Sequence, residues 1–270
     1  MNKERREPWV RIAKRGVVLP RWKAWGIRGI ALAGALVLCA IIIYSIVELN
    51  PLKVYGAMFE GAFGTNRRMW VTIRDTMMLL CIGIGLAPAF KMRFWNIGAE
   101  GQILMGGIAS AACMIYLGGD LPAGLLLPLM FILSALAGGL WGFIPAWFKA
   151  KWNTNETLFT LMMNYIAMQL ASFFIIIWEV PKGAGKIGII NQSTRAGWLP
   201  ELGNAYLLPI LIVAIMTGLM YIYLQYSKHG YEIAVVGESQ RTASYAGIKV
   251  ERVIIRTMVL SCAICGLMGL

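Results

Sequence analysis

The sequence predicts an all-α fold, a polytopic integral membrane bundle of about seven spans, on three observations. Hydrophobic residues make up 59% of the 270, charged residues only 14%, and the mean hydropathy is +0.67, against roughly 45–50% apolar usage in soluble domains. Apolar runs recur along the whole chain and leave no stretch for a separate soluble domain. The cations also alternate in placement: with the N-terminus in the cytoplasm, segments 1–28, 91–93, 149–151 and 227–256 hold 18 of the 25 Lys and Arg, and the rest hold 7. Cytoplasmic loops carry such an excess, and one misplaced span would invert every later segment.

The net charge of +12 has the same origin. Nine of the 25 cations lie in residues 1–28, directly before an apolar run, which indicates topology and contact with membrane lipid rather than nucleic acid. The chain therefore divides into a basic cytoplasmic segment, 1–28, and a transmembrane domain, 29–270. The run at 29–49 is longer than the roughly 7–15 residues of a signal-peptide core, so it is expected to remain as the first span.

Asn50 and Pro51 end that span. Residues 52–63 carry Leu52, Val54, Tyr55, Met58, Phe59 and Phe63 at near-helical spacing, as in a short amphipathic helix on the outer surface, and 61–68 reads as a loop. The second span, 69–90, contains Arg74 and Asp75. Helix neighbours do not face each other, so each is expected to reach the interface or a partner helix. Lys91 and Arg93 mark a cytoplasmic return before a third span at 101–117.

Gly118, Gly119, Asp120 and Pro122 form an outer turn. The fourth span then runs to 148 with Gly138-x-x-x-Gly142, a small-residue face for close helix packing. Asn153, Thr154 and Asn155 supply N-caps for a fifth span at 156–178, where Glu156 suits the positive end of the helix dipole. An outer loop, 179–204, precedes a sixth span at 205–226. Segment 227–256 carries five cations and exceeds the roughly 2–8 residues of a minimal helix connection, so it invites a docking role. The last run, 253–270, spans 18 residues, barely enough to cross, and the chain is expected to be incomplete at its C-terminus.

Several chemistries are excluded by pattern. The five cysteines all lie in apolar runs, and Cys262-x-x-Cys265 has no second pair. His229 has no ligand at metal spacing and is expected on a solvated surface. Gly185-Lys186 lacks the rest of a phosphate loop, and neither H-E-x-x-H nor G-x-S-x-G occurs, so no catalytic, metal or cofactor site is expected.

The stretch that concentrates polar groups is 91–107, K-M-R-F-W-N-I-G-A-E-G-Q-I-L-M-G-G. Asn96, Glu100 and Gln102 stand between two apolar runs, and a carboxylate at a helix centre costs roughly 2.5–3.5 kcal/mol on translocon scales. Gly98, Gly101 and Gly106 permit close approach of a helix or a solute. The segment is therefore either a pathway element or a capped polar loop at the membrane surface.

F-W-N-I-G-A-E-G-Q, together with N-E-T-L-F-T-L-M-M-N-Y-I-A at 155–167 and G-E-S-Q-R-T-A-S-Y-A-G-I at 237–248, resembles the nucleoside and simple-sugar permease subunits of ABC importers. These belong to the branched-chain amino acid and ribose permease family. The resemblance implies a bacterial plasma-membrane protein that moves nucleosides or simple sugars. It also implies an ABC ATPase, an extracytoplasmic substrate-binding protein and a second permease chain, alike or different, as partners. It places Asn155, Glu156 and Asn164 on the translocation path beside Asn96, Glu100 and Gln102, and makes 227–256 the ATPase-coupling loop. There Ala243, Ala246 and Gly247, with Gly237 before them, allow close seating, and Tyr245 and Ile248 fill a pocket. Trp95 stands where the family often has Phe, and Glu238-Ser239 where Asn-Pro is common. A different class, an ion-coupled secondary transporter, would use Asp75, Glu100 or Glu156 as its ion site.

Overall fold

The computed structural model describes residues 20–270, so most of the basic segment 1–28 lies outside the described residues. Among the described residues ten α-helices are formed: α1 (Arg21–Ile42, continued by a π-helical turn, Ile43–Val47), α2 (Pro51–Phe63), α3 (Asn66–Lys91), α4 (Ala99–Leu117), α5 (Ala123–Trp152), α6 (Glu156–Trp178), α7 (Leu207–Tyr226), α8 (Lys228–Glu238), α9 (Gln240–Tyr245) and α10 (Val250–Leu267). Six of them are long and apolar enough to cross a membrane: α1 with its π turn, and α3 to α7.

The described residues fall into two compact units, divided between Arg68 and Met69. In the first, Asn50 caps α2 by accepting from the Leu52 amide at 3.0 Å, with Pro51 at the first helical position. The Tyr55 hydroxyl donates to the Leu36 carbonyl at 2.6 Å and ties α2 to α1. The loop expected at 61–68 is shorter than that, because α2 continues to Phe63 and Thr65 Oγ1 accepts from the Arg68 amide at the start of α3.

In the second unit α10 is the hub. It lies along α5 and also meets α4 and α8. The small-residue face of α5 makes this possible: a Cβ on Gly138 would stand 2.5 Å from the Cys262 carbonyl oxygen, and one on Gly266 2.5 Å from that of Ser134. Ser134 Oγ donates to the Gly266 carbonyl at 2.6 Å across the same crossing, and Ser261 Oγ donates to the Gly85 carbonyl at 2.6 Å, joining α10 to α3. Close backbone approach with inter-helix hydrogen bonds holds helices together where lipid offers no hydrophobic force. The last expected span is thus the interior helix α10, whose 18 residues include Glu251, Arg252 and Arg256 near its start.

Two apolar clusters mark opposite ends of this unit. One joins Ala89, Met92 and Phe94 to Ala146 of α5, Ile233 and Val236 of α8, Ala243 of α9 and Val253, Ile254 and Met258 of α10. The other joins Cys113 of α4 to Leu126 and Met130 of α5 and to Ala196 in the loop before α7. Arg74 and Asp75 pair with each other, Nη2 to Oδ1 at 2.8 Å, because the long guanidinium folds back to its neighbour. The same guanidinium lies 5.6 Å from the centre of the Tyr206 ring at the start of α7, so Arg74 also reaches a partner helix as expected. Asp75 is exposed and Arg74 half-buried, and such a pair contributes little.

Candidate functional site: the polar turn and the loop beside it

After α3 the chain turns at Met92 and Arg93, with Arg93 at φ +59° and the Phe94 amide bonded back to the Ala89 carbonyl, and then runs without regular structure to Ile97. Across 92–98 Met92, Phe94, Asn96 and Gly98 are buried, while Arg93, Trp95 and Ile97 are exposed, so one side of the segment lies on the core. Met92 and Phe94 anchor it in the apolar cluster, and the same alternation drives Asn96 inside, where it is 1% exposed.

A buried amide must find partners, and Asn96 finds them locally and across helices. Its Oδ1 accepts from the Gly98 amide at 2.9 Å and from Gln102 Nε2 at 3.2 Å, while its Nδ2 donates to Cys262 Sγ of α10 at 3.8 Å. Asn164 of α6 completes the set. Its Oδ1 accepts from the Gly101 amide at 2.8 Å and its Nδ2 donates to the Ile97 carbonyl at 2.9 Å. Thr160 Oγ1 accepts from the Ile97 amide at 3.2 Å. Gly98, the N-cap of α4, brings no side chain, so α6 supplies the acceptor for an amide in the first turn of α4.

The expected pathway residues therefore separate. Asn96 and Gln102 bond each other, and Asn164 bonds the backbone of Ile97 and Gly101 beside them, so three buried neutral amides are linked through one turn of the backbone. Glu100 stands outside this set, exposed in the first turn of α4, where the helix dipole favours a carboxylate. Asn155 caps α6, accepting from the Thr157 and Leu158 amides at 3.1 and 3.2 Å. Glu156 pairs with Lys149 Nζ at 2.8 Å.

α6 also shows an outward stripe that the sequence reading did not single out: Leu158, Met162, Tyr165, Gln169, Ser172 and Ile176 are exposed at helical spacing. The exposed stripe of α5 (Leu125, Pro128, Ile132, Leu136, Leu140, Phe143) is wholly apolar. That contrast was available from the helical period once α6 was delimited.

On the other side of the turn, α8 seats directly on the backbone, since a Cβ on Gly237 would run into the Lys91 carbonyl oxygen. The coupling candidates divide in turn. Tyr245 is 93% exposed, and Ala246 and Gly247 are exposed with it. Ile248 is half-buried against the apolar cluster, and Ala243 and Gly237 are buried. Those two shape the seating of α8 and α9 on the bundle rather than an outer surface.

His229, expected on a solvated surface, is instead wedged between α7 and α10. Its Nδ1 meets the Tyr223 hydroxyl and its Nε2 meets Thr257 Oγ1 at 3.4 Å. Burial pushes its imidazole below the ordinary histidine value, with Glu232 opposing and Arg256 adding to the shift. Among the described residues no group of acidic, His and Cys side chains could hold a metal.

At the opposite end, the loop after α6 is built on Glu179. Its carboxylate accepts from the Gly183 and Gly185 amides at 2.7 and 2.8 Å. Those two donors, helped by Lys182 and opposed by burial, hold it below the usual carboxylate range. Lys182 Nζ in turn donates to the Ile177 carbonyl at 2.7 Å at the end of α6.

Residues 69–270 match the family model described as branched-chain amino acid transport system / permease component. The chain is 36% identical over 219 residues to the guanosine ABC transporter permease protein NupP of Bacillus subtilis, an alignment covering 80% of this chain and 62% of that protein. It is 31% identical over 229 residues to the nucleoside ABC transporter permease protein NupB of Lactococcus lactis, covering 82% and 63%. It is 27% identical over 266 residues to the glucose ABC transporter permease protein TsgB13 of Haloferax volcanii, covering 93% and 68%. The chain thus spans a little under two thirds of the two nucleoside relatives. No solved structure matches.

Proposed function

Because the chain belongs to the branched-chain amino acid transport system / permease component family, whose model covers residues 69–270, we propose that this multi-pass cell-membrane protein is the pathway-forming permease subunit of an ABC importer for nucleosides. Nucleosides come before simple sugars because, of the three relatives named above, the two over 30% identical are a guanosine and a nucleoside permease. The partners follow from that reading: an ABC ATPase, an extracytoplasmic substrate-binding protein and a second permease chain.

The observation that carries the pathway is the outward face of α6. Tyr165 and Gln169 among its exposed residues would be poorly matched to lipid, so this face borders water, solute or the second chain. The buried network of Asn96, Gln102 and Asn164 fixes α6 against the start of α4 and sets the position of that face. Glu100, exposed beside the network, is a carboxylate free to meet solute at that end.

The basic end of the unit, with Lys91, Arg93, Lys149, Lys151, α8 and α9, faces the cytoplasm, and the loop at 179–204 faces outside. Tyr245, Ala246 and Gly247 form the docking surface for the ATPase. Motion there passes through α8 to Met92 and Phe94, which share its apolar cluster, and so to the network two residues further on. Asp75 and Glu156, on which an ion-coupled mechanism would draw, are already paired with Arg74 and Lys149.

Uptake of labelled solutes by the assembled complex tests this reading. Guanosine and other nucleosides should accumulate and compete with one another, with glucose a weak competitor; accumulation of sugars alone would overturn the nucleoside assignment. Single cysteines at Ser193 and Ser239 should react with an impermeant reagent from opposite sides of the membrane, and equal labelling on intact cells would refute the orientation.

A further inference from the structure

α7 has 20 residues, about 30 Å of rise, which matches the hydrocarbon thickness of a bilayer. Its last turn therefore stands at headgroup level, where tyrosines collect. Tyr221, Tyr226 and, in α8, Tyr231 are 61%, 78% and 67% exposed. Tyr223 in that last turn bonds His229, and His229 meets Thr257 of α10, so Thr257 and its neighbour Arg256 lie at the same depth.

At that depth a groove of about 330 Å³ opens between α8 and α10, with Ile248 and the proposed ATPase-docking residues Ala246 and Gly247 also on its lining, so the two surfaces adjoin. Four cations line it, Lys228, Lys249, Arg252 and Arg256, with Glu232 as the lining carboxylate. All four are exposed, and the ion pairs among the described residues involve other side chains. Four like charges gathered around one carboxylate repel each other unless an anion joins them.

We propose that this groove binds the phosphate headgroup of an anionic phospholipid in the leaflet that faces α8 and α9. Depth selects lipid over an acidic protein segment: Arg256 lies six residues along α10 from Val250, about 9 Å deeper into the bundle than the start of that helix. Basic recesses between membrane helices on the cytoplasmic side suit such headgroups. The site is independent of the transported solute.

Purified full-length protein in detergent, titrated with phosphatidylglycerol, with phosphatidylcholine or with inorganic phosphate, tests the proposal by native mass spectrometry and by the shift in Tm. Phosphatidylglycerol should be retained and raise the Tm, and the other two should not. Replacing Arg252 and Arg256 together by Gln should weaken its binding about 25-fold, about fivefold for each cation near the surface. Lys151→Gln, an exposed cation of α5, should leave binding unchanged. Glu232→Gln should tighten binding and keeps the proposal falsifiable if the double variant fails to fold. Equal retention of phosphatidylcholine, the same Tm shift with inorganic phosphate alone, unaltered affinity in the double variant, or weaker binding in Glu232→Gln would each overturn it.

Discussion

Asn164→Ala removes the only side chain of α6 that bonds two sites on the α3–α4 turn and the start of α4. Two hydrogen bonds are lost, at 2.8 Å from the Gly101 amide and 2.9 Å to the Ile97 carbonyl. Inter-helix hydrogen bonds in a membrane contribute about 0.6 kcal/mol each on average, because the unfolded chain in lipid also finds partners. The Gly101 amide, however, sits on a buried residue, and leaving a buried donor without a partner costs about 1–3 kcal/mol. The expected destabilisation is therefore about 2–4 kcal/mol, a large share of the 5–15 kcal/mol typical of a whole domain but short of unfolding it. Denaturant unfolding in mixed micelles measures the change, and solute uptake measures its consequence. Asn96→Ala breaks the same network through the Gly98 amide and Gln102, so the two substitutions should be less than additive. A loss under about 0.5 kcal/mol for Asn164→Ala, the size of an ordinary surface change, together with full uptake, would refute the assignment of a positioning role.

Three further outcomes follow from the packing. Gly266→Leu should separate α10 from α5, because even a Cβ would meet the Ser134 carbonyl oxygen at 2.5 Å; overpacking of this kind costs about 1–3 kcal/mol or more, read as lost monodisperse protein on size exclusion. Tyr245→Ala removes a side chain 93% exposed and should lower ATPase co-purification while leaving the Tm unchanged, whereas Gly247, at φ +79°, would add backbone strain to any side chain placed there. His229 binds a proton less readily when folded than when unfolded, so its stabilising contribution is present above the ordinary histidine value of about 6.5 and is lost as pH falls through the folded value. The Tm of the wild type should drop between pH 7 and pH 5 by more than that of His229→Gln, and parallel profiles would count against the wedge.

The spans were legible because hydropathy, caps and charge agreed. Asn50, Pro51 and Asn155 each sit where a helix begins, and Gly138-x-x-x-Gly142 announced a close crossing, though not that its partner would be α10. The polar turn was legible as a concentration of polar groups but not as a network, since Asn164 lies 63 residues from Gly101 and nothing local links them. One distinction was within reach: Glu100 and Gln102, two apart on a helix, point about 200° from each other, so both could not be buried on one face. Arg74 still pairs with Asp75 because the rule for helix neighbours concerns Cβ direction, and a guanidinium is long enough to escape it. His229 misled because its partners, Tyr223 and Thr257, come from two other helices. Ala243 looked like a docking residue by its size, yet it is 0% exposed because α9 uses that small side chain to lie flat on the bundle.

The most direct test of the permease assignment is solute uptake by the full protein reconstituted with the proposed ATPase, binding protein and second permease chain in sealed vesicles, with ATP and ion gradients varied separately. Labelled guanosine should accumulate only when ATP is present on the side of α8 and α9, and it should be indifferent to a protonophore. Accumulation without ATP that collapses with the ion gradient would contradict the account and return Asp75, Glu100 and Glu156 as coupling carboxylates.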